Sequence, residues 1–190
     1  GFTLIELLVT ISIFVIITGL VLVNSGQFNN AVILNNLAYE VALTLREAQS
    51  AALNVRQSGG DYNNGYGVHF DTSTDLLKKT FRYFSDSALT PLNVYSGAIV
   101  GSEHDDIIKG FDIKRGNYIV GYCFDNTGCP GGLSTGVLDV AFRRPDAKAY
   151  INQGGAVTNN SYVEIVLKSA DGNDERRVIV QKYGQISVKE

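Results

Sequence analysis

The chain opens with a long apolar run, and the rest of it follows two different periodicities. Positions 7–23 hold no charge and no proline, and positions 1–5 extend the run, with Glu6 as its one ionisable interruption. A helix of about 23 residues with a rise of ~1.5 Å per residue matches the ~30 Å hydrocarbon core of a bilayer. The pattern therefore predicts a hydrophobic transmembrane helix over residues 1–25.

Three other structures compete for this apolar run. A signal peptide would carry basic residues before a shorter apolar stretch and a small-residue cleavage site after it. A buried core helix would be shorter and less uniformly apolar, which leaves an ordinary membrane anchor as the main alternative. Glu6 argues against a simple anchor, because an ionisable group inside a membrane segment costs free energy and usually has a function there.

Glu6 instead predicts assembly. In a packed array of such helices, its carboxylate would meet the α-amino group of a neighbouring chain. Such a pairing is strong in a dry medium, where an unpaired charge is heavily penalised. A neighbour would therefore be selected by its axial stagger, with Glu6 setting the assembly register.

A second helical pattern follows the apolar run. Apolar residues recur at spacings of three and four and form one stripe, which consists of Leu34, Leu37, Val41, Leu45, Ala48 and Ala52. Residues 56–60 then supply a Gly-containing stop signal. We therefore expect the helix to continue in amphipathic form over residues 26–57 and to pack its stripe against a globular domain.

Beyond residue 58 the period changes to two, which is the period of strands. The predicted strands cover 66–70, 80–84, 92–95, 118–124, 137–142, 162–167, 178–183 and 185–188. A helix packed on antiparallel strands is an α+β arrangement. The expected fold is therefore α+β, with a long N-terminal helix (a transmembrane half and an amphipathic half) packed on an antiparallel β-rich globular domain over residues 58–190.

Composition and cysteine content narrow the class of function. The 190 residues carry a net charge of −3, which gives no support to bulk nucleic-acid binding. Cys123 and Cys129 are too far apart for a CxxC metal or redox pair. A disulfide is the favoured interpretation if the domain lies outside the cytoplasmic membrane, with two free thiols or metal ligation as alternatives. No Met is present, so we expect the chain to have lost its initiator residue.

The first eleven residues, GFTLIELLVTI, closely resemble the N-terminal segment of type IV pilins and type II secretion pseudopilins. The resemblance implies cleavage by a prepilin peptidase between Gly1 and Phe2, N-methylation of the new terminal residue, and a register-setting role for Glu6. Cleavage one bond earlier, which would leave Gly1 in place, is the alternative. The resemblance also implies a filament core that contains Leu4, Ile5, Leu7, Leu8, Ile11, Phe14 and Val15.

The globular part is similar to that of FimT-like minor pseudopilins. The similarity lies in residues 37–48, in the GYGVHF segment at 65–70, and in the closing segment at 177–188. It implies a pilin-like version of the α+β fold.

The resemblance implies a structural subunit, which we expect to be the major pilin of a type IV pilus serving attachment, motility or contact. The chain would wait in the cytoplasmic membrane with its globular domain outside, and would then join an extracellular pilus on the cell surface. Its partners would be copies of itself, together with a prepilin peptidase, a platform protein and an extension ATPase. The alternative is a minor pseudopilin of a type II secretion or DNA-uptake system, located at the tip and binding DNA.

Catalytic and ligand-binding patterns are sparse. The sequence holds no Ser/His/Asp set, nucleophile elbow or phosphate-cradling glycine loop, and we predict no enzyme, no cofactor and no metal. We expect His69 to be structural or at the surface, and the acidic loop around His104 to be solvated. Residues 171–175 resemble a calcium-binding region of some type II pseudopilins, but we expect a hairpin turn there. DNA binding would use the cations Arg143, Arg144, Lys168, Arg176, Arg177, Lys182 and Lys189.

Overall fold

The fold begins with one long helix. The computed structural model describes residues 1–54, 64–86, 93–97, 105–125, 129 and 132–189, with backbone alone at positions 21–29. Helix α1, Leu4–Leu53, follows the N-cap residue Thr3 and ends at Asn54, whose backbone N–H donates to the Ser50 carbonyl. The predicted stop signal at 56–60 lies outside the described residues. The helix is continuous across the boundary that we predicted between residues 25 and 26.

The expected transmembrane half of this helix is a wrong prediction. The part of the apolar run whose side chains the structure describes, positions 4–20, has 17 residues. Among the described residues, no helix combines the length and the apolar character that crossing a membrane requires. The expected pilin-like fold class, which included that half, is corrected accordingly.

The second half of α1 packs against the globular domain as its stripe predicted. All six predicted stripe residues are buried, and they are Leu34, Leu37, Val41, Leu45, Ala48 and Ala52. Asn36, Glu40, Arg46 and Glu47 lie on exposed faces. The 3.6-residue period therefore places the apolar stripe on the sheets and the charged positions in solvent.

The globular domain consists of two antiparallel sheets. The strands are β1 Gly65–Asp71, β2 Thr80–Asp86, β3 Asp106–Asp112, β4 Tyr118–Phe124, β5 Val137–Arg143, β6 Asp146–Gln153, β7 Ala156–Val157, β8 Tyr162–Lys168, β9 Glu175–Gln181 and β10 Ile186–Lys189. The larger sheet has the order β3-β2-β1-β5-β6-β7, and the smaller has the order β10-β9-β8-β4. A short 3-10 helix, Leu77–Lys79, precedes β2.

The main core lies between α1 and the inner faces of both sheets. Aromatic and branched side chains of alternate strand positions fill it, among them Tyr66, Val68, Phe70, Phe81, Leu138, Val140, Phe142, Ile165 and Val180. Alternation of this kind turns one face of each strand toward the main core. The β-rich part of the expected fold is therefore present in the structure.

Most of the predicted strands are confirmed, and the misses have local causes. At 92–95 the prediction is wrong for the described residues, because Asn93 has φ 64° and its N–H donates to the Asp86 carboxylate. Strands β3, β6 and β7 were not predicted. Strand β3 is an edge strand and is largely exposed, so its sequence lacks the apolar alternation on which the prediction depended.

Candidate assembly site

The first part of α1 exposes apolar side chains around its whole circumference. The residues that we predicted for a filament core are each more than half exposed, and they are Leu4, Ile5, Leu7, Leu8, Ile11, Phe14 and Val15. Phe2, just before the helix, is 87% exposed. Successive helical residues are rotated by about 100°, so neighbouring positions such as Leu7 and Leu8 point in different directions. Apolar surface of this extent marks an interaction site.

Two polar residues within the apolar segment form their side-chain hydrogen bonds inside the helix. The Thr10 hydroxyl donates to the Leu7 carbonyl at 2.9 Å, and the Ser12 hydroxyl donates to the Leu8 carbonyl at 2.8 Å. A hydroxyl that bonds to the preceding turn needs no water or partner for its proton. These residues therefore allow the segment to pack in a dry environment.

Thr3 fixes the start of the helix, a role that our prediction missed. Its side-chain Oγ1 accepts a hydrogen bond from the Glu6 backbone N–H at 3.4 Å, and its carbonyl accepts from Leu7 N–H at 3.2 Å. The signal was present in the sequence, because Thr3 followed by Glu6 three residues later has the form of a capping box. An acidic residue in the first turn also interacts favourably with the positive end of the helix dipole.

The Glu6 carboxylate stands at the exposed end of this apolar surface. It lines a shallow cleft with Gly1 and Phe2. Within the part of the chain that the structure describes, no ion pair joins it to a cation. The structure therefore leaves Glu6 available for a group outside this chain.

The cysteine prediction is confirmed. Cys123, at the end of β4, forms a disulfide with Cys129, and the two Cα atoms are 5.6 Å apart. Cys123 is directly opposite Glu164 of the neighbouring strand β8. The disulfide therefore ties the loop after β4 to the outer face of the smaller sheet.

His69 lies in strand β1, as predicted, and is buried there with an acidic partner. Its Nδ1 is 2.6 Å from Oδ1 of Asp139 on the adjacent strand β5. The ring of Tyr95 covers the imidazole, with ring centroids 4.5 Å apart. This pair lies on the face of the larger sheet opposite to the main core, so His69 is buried and paired rather than exposed at the surface. His104 lies outside the described residues.

A second buried carboxylate lies at the end of β2. Asp86 accepts a hydrogen bond from Asn93 N–H at 2.6 Å, and Nη1 of Arg143 is 3.9 Å away. Burial raises the pKa of Asp86 to about 6, and the Asn93 hydrogen bond opposes that rise. Burial also raises the pKa of Asp139, against the lowering effect of the His69 hydrogen bond. Both carboxyls are thus harder to ionise in the folded chain.

The turn at 171–175 is a hairpin turn, as predicted. It joins β8 to β9, with Lys168 paired to Glu175. The Asp171 carboxylate accepts from the Ser169 hydroxyl and from Asn173 N–H, and it reaches the Asn30 amide of α1 at 3.4 Å. The Ser169 hydrogen bond is the main reason why the pKa of Asp171 is lowered.

Several of the cations that we assigned to a DNA-binding face lie in ion pairs. Each of Arg143, Lys168 and Arg177 has a nitrogen within 4.0 Å of a carboxylate, namely Asp86, Glu175 and Glu164 respectively. Arg177 also contacts Glu175 at 2.6 Å. Phosphate contacts would compete with these carboxylates for the same guanidinium and ammonium groups.

Comparison with known proteins gives no relative for this chain. No family model matches it, and no match was found among curated proteins or solved structures.

Proposed function

We propose that this chain is a structural subunit of a type IV pilus-like filament, assembled through the apolar first part of α1. In this proposal the filament is extracellular and built mainly from copies of this chain, with attachment, motility or contact as its use. A prepilin peptidase, a platform protein and an extension ATPase would act on it, as the N-terminal resemblance implies.

The observation that supports the proposal is the exposed apolar segment at positions 4–20. The segment belongs to the helix whose second half packs against the globular domain. A mechanical force on the segment is therefore transmitted along the helix to that domain. Removing one large apolar side chain from water contributes about 1.5–3 kcal/mol. Packing many such side chains against other copies therefore supplies a large driving force for association.

Glu6 supports a filament over a closed ring or an unspecific aggregate. Its carboxylate requires a cation when the surrounding apolar surface is buried, since an unpaired buried charge is costly. The N-terminal amine of a neighbouring copy, displaced along the axis, is a cation that every copy carries. A pairing between two different surfaces of the same chain is heterologous, and repeated heterologous contacts that do not close give a helical filament.

Mass spectrometry of filaments sheared from the cells that make this chain tests the proposal. If the chain is the major subunit, its peptides dominate the sheared fraction, and its N-terminal peptide begins near Phe2 with a methylated amine. A membrane-marker protein measured in the same fraction controls for cell lysis. If the chain is only a trace component there, the major-subunit proposal fails and a minor, tip-located role replaces it.

A further inference from the structure

The disulfide has a buried acidic neighbour that its structural role does not explain. The two sulfurs of Cys123 and Cys129 and a carboxylate oxygen of Glu164 all lie within 4.8 Å of one another. Cys123 and Glu164 are cross-strand partners on β4 and β8, so their side chains share one face of the sheet. A strand pair of this kind holds its two side chains at a fixed spacing.

One oxygen of this carboxylate lacks a hydrogen bond. Glu164 is 1% exposed, and its Oε2 accepts from Nη1 of Arg177 at 3.1 Å. Among the described residues, its Oε1 has no hydrogen-bond partner. A buried acceptor without a donor is destabilising, because the folded chain does not replace the hydrogen bond that it made to water. Glu164 thus holds a buried carboxylate oxygen beside two sulfurs without a hydrogen bond. A ligand bound to this oxygen would compensate for the missing hydrogen bond.

We propose that the reduced form of the chain binds one thiophilic divalent cation, such as Zn²⁺, through Cys123, Cys129 and Glu164. An external thiol or phosphine reductant supplies two electrons, the S–S bond breaks, and two protons complete the two thiols. The cation then displaces both thiol protons and bonds to the thiolates. The disulfide and the metal site are alternative states of the same two sulfurs.

Charge and geometry favour this ligand set. Two thiolates and the carboxylates of Glu164 and Glu175 carry four negative charges, which Zn²⁺, Arg177 and Lys168 balance. Zinc bonds of about 2.3 Å to sulfur at a tetrahedral angle require the two sulfurs to be about 3.7 Å apart. Cys123 is fixed in β4 and buried, whereas Cys129 is half-buried in the loop that follows, so the required separation comes from Cys129. Arg177 acts as a positioning residue, since it holds one oxygen and leaves the other for the metal.

The test uses the full chain in detergent, which covers the exposed apolar segment. The chain is reduced with a phosphine, freed of reductant without oxygen, and titrated with Co²⁺, whose thiolate bonds give charge-transfer absorption in the near ultraviolet. We expect one Co²⁺ per reduced chain, displacement by Zn²⁺, and no such absorption in the oxidised chain. A reduced chain that shows no thiolate-to-cobalt absorption overturns the proposal.

Two matched substitutions test the carboxylate. Glu164→Gln should weaken metal binding at least about tenfold, whereas Glu175→Gln, which removes the other carboxylate beside Arg177, should change it less than about threefold. Equal affinity of the Glu164→Gln chain and the unsubstituted chain contradicts the assignment of Glu164. If Glu164→Gln does not fold, X-ray absorption of the zinc-loaded unsubstituted chain decides instead. Zinc coordinated by two sulfur atoms and by oxygen supports the proposal. Zinc coordinated by four sulfur atoms, which would come from two chains, overturns it.

Discussion

The Gln49 side chain of α1 donates a hydrogen bond to the Gly184 carbonyl at 2.9 Å, and thereby fastens the helix to the turn between β9 and β10. The same amide donates to the Ala147 carbonyl at 3.1 Å. One side chain thus joins the helix, strand β6 of the larger sheet and the β9–β10 turn of the smaller sheet. A helix that transmits load from an assembly segment needs such a connection to both sheets.

Gly184→Ala should therefore destabilise the domain strongly. Gly184 has φ +92°, and an added Cβ would overlap the Ala147 carbonyl oxygen and crowd the Gln49 amide. We expect a loss of about 3 kcal/mol from strain and the clash together, which corresponds to a fall in Tm of about 6–12 °C. Thermal unfolding followed by near-ultraviolet circular dichroism of the tyrosines measures it.

Gly172→Ala is the matched control for that substitution. Gly172 also has positive φ (+74°), but an added Cβ would have nothing within 4 Å. Its substitution carries only the backbone strain, about 1 kcal/mol, or 2–4 °C in Tm. Equal losses for the two substitutions would show that the close packing around Gly184 adds no stability.

The stability of the folded chain should fall as pH rises from about 4 to about 6. Burial raises the pKa of Asp86 to about 6, so in this interval the folded state keeps a proton that the unfolded state has lost. The contribution is fully present below pH 4 and is lost as pH passes 6, with a size of about 1–3 kcal/mol. Tm measured between pH 4 and pH 7 tests this sign.

Asp86→Asn should reduce that pH slope without breaking the hydrogen bond from Asn93, because the amide oxygen still accepts. Part of the slope should persist, since burial also raises the pKa of Asp139. Asp75→Asn is the control, because Asp75 is exposed and a hydrogen bond from Lys78 lowers its pKa, so that carboxyl acts in the opposite direction. An unchanged slope in Asp86→Asn contradicts the assignment.

The regular parts of the fold could be predicted from the sequence, because they follow from local periodicity. The stripe from Leu34 to Ala52 and the alternation in β1, β5 and β8 each describe one face that becomes buried. The exposed strand β3 and the short strand β7 could not be found in this way, since their pairing comes from neighbouring strands rather than from their own pattern. Asn93 could not be placed either, because its positive φ and its hydrogen bond to Asp86, seven residues earlier, leave no mark in the apolar pattern.

The candidate assembly site was predictable in part. Glu6 and the apolar residues around it stand out in the sequence, and the structure exposes them. The membrane-spanning expectation was wrong, because no helix among the described residues combines the length and the apolar character that a span requires. Glu164 beside the disulfide was not predictable, since it approaches Cys123 only through the pairing of β4 with β8. The spacing of the two cysteines predicted the disulfide, but it did not indicate that Glu164 lies beside it.

Thr3→Ala separates two roles that Glu6 has at the start of α1. Thr3 caps the helix through the Glu6 backbone N–H, and loss of such a cap costs about 1 kcal/mol. Since the Glu6 charge stays in place, we expect filament yield in the sheared fraction to fall only modestly, by less than about threefold. If Thr3→Ala reduced filament yield as much as Glu6→Gln does, assembly would depend on capping of the helix and not on pairing of the Glu6 charge.

Glu6→Gln should abolish most filament assembly while leaving the folded domain unchanged. The amide keeps the size of the side chain but cannot pair with the amine of a neighbour, which then stays unpaired at a buried contact. We expect at least a tenfold loss of sheared filaments by quantitative immunoblot at equal cellular protein. Glu47→Gln, an exposed carboxylate on the second half of the same helix, should assemble normally.

A cryo-electron microscopy reconstruction of sheared filaments tests the central claim most directly. We predict that positions 4–20 of neighbouring copies pack together along the filament axis, with the globular domains outside. The Glu6 carboxylate should lie within about 4 Å of the N-terminal amine of an adjacent copy, the distance of an ion pair. A filament held together by its globular domains alone, or one in which Glu6 faces no amine, would contradict the proposed mode of assembly.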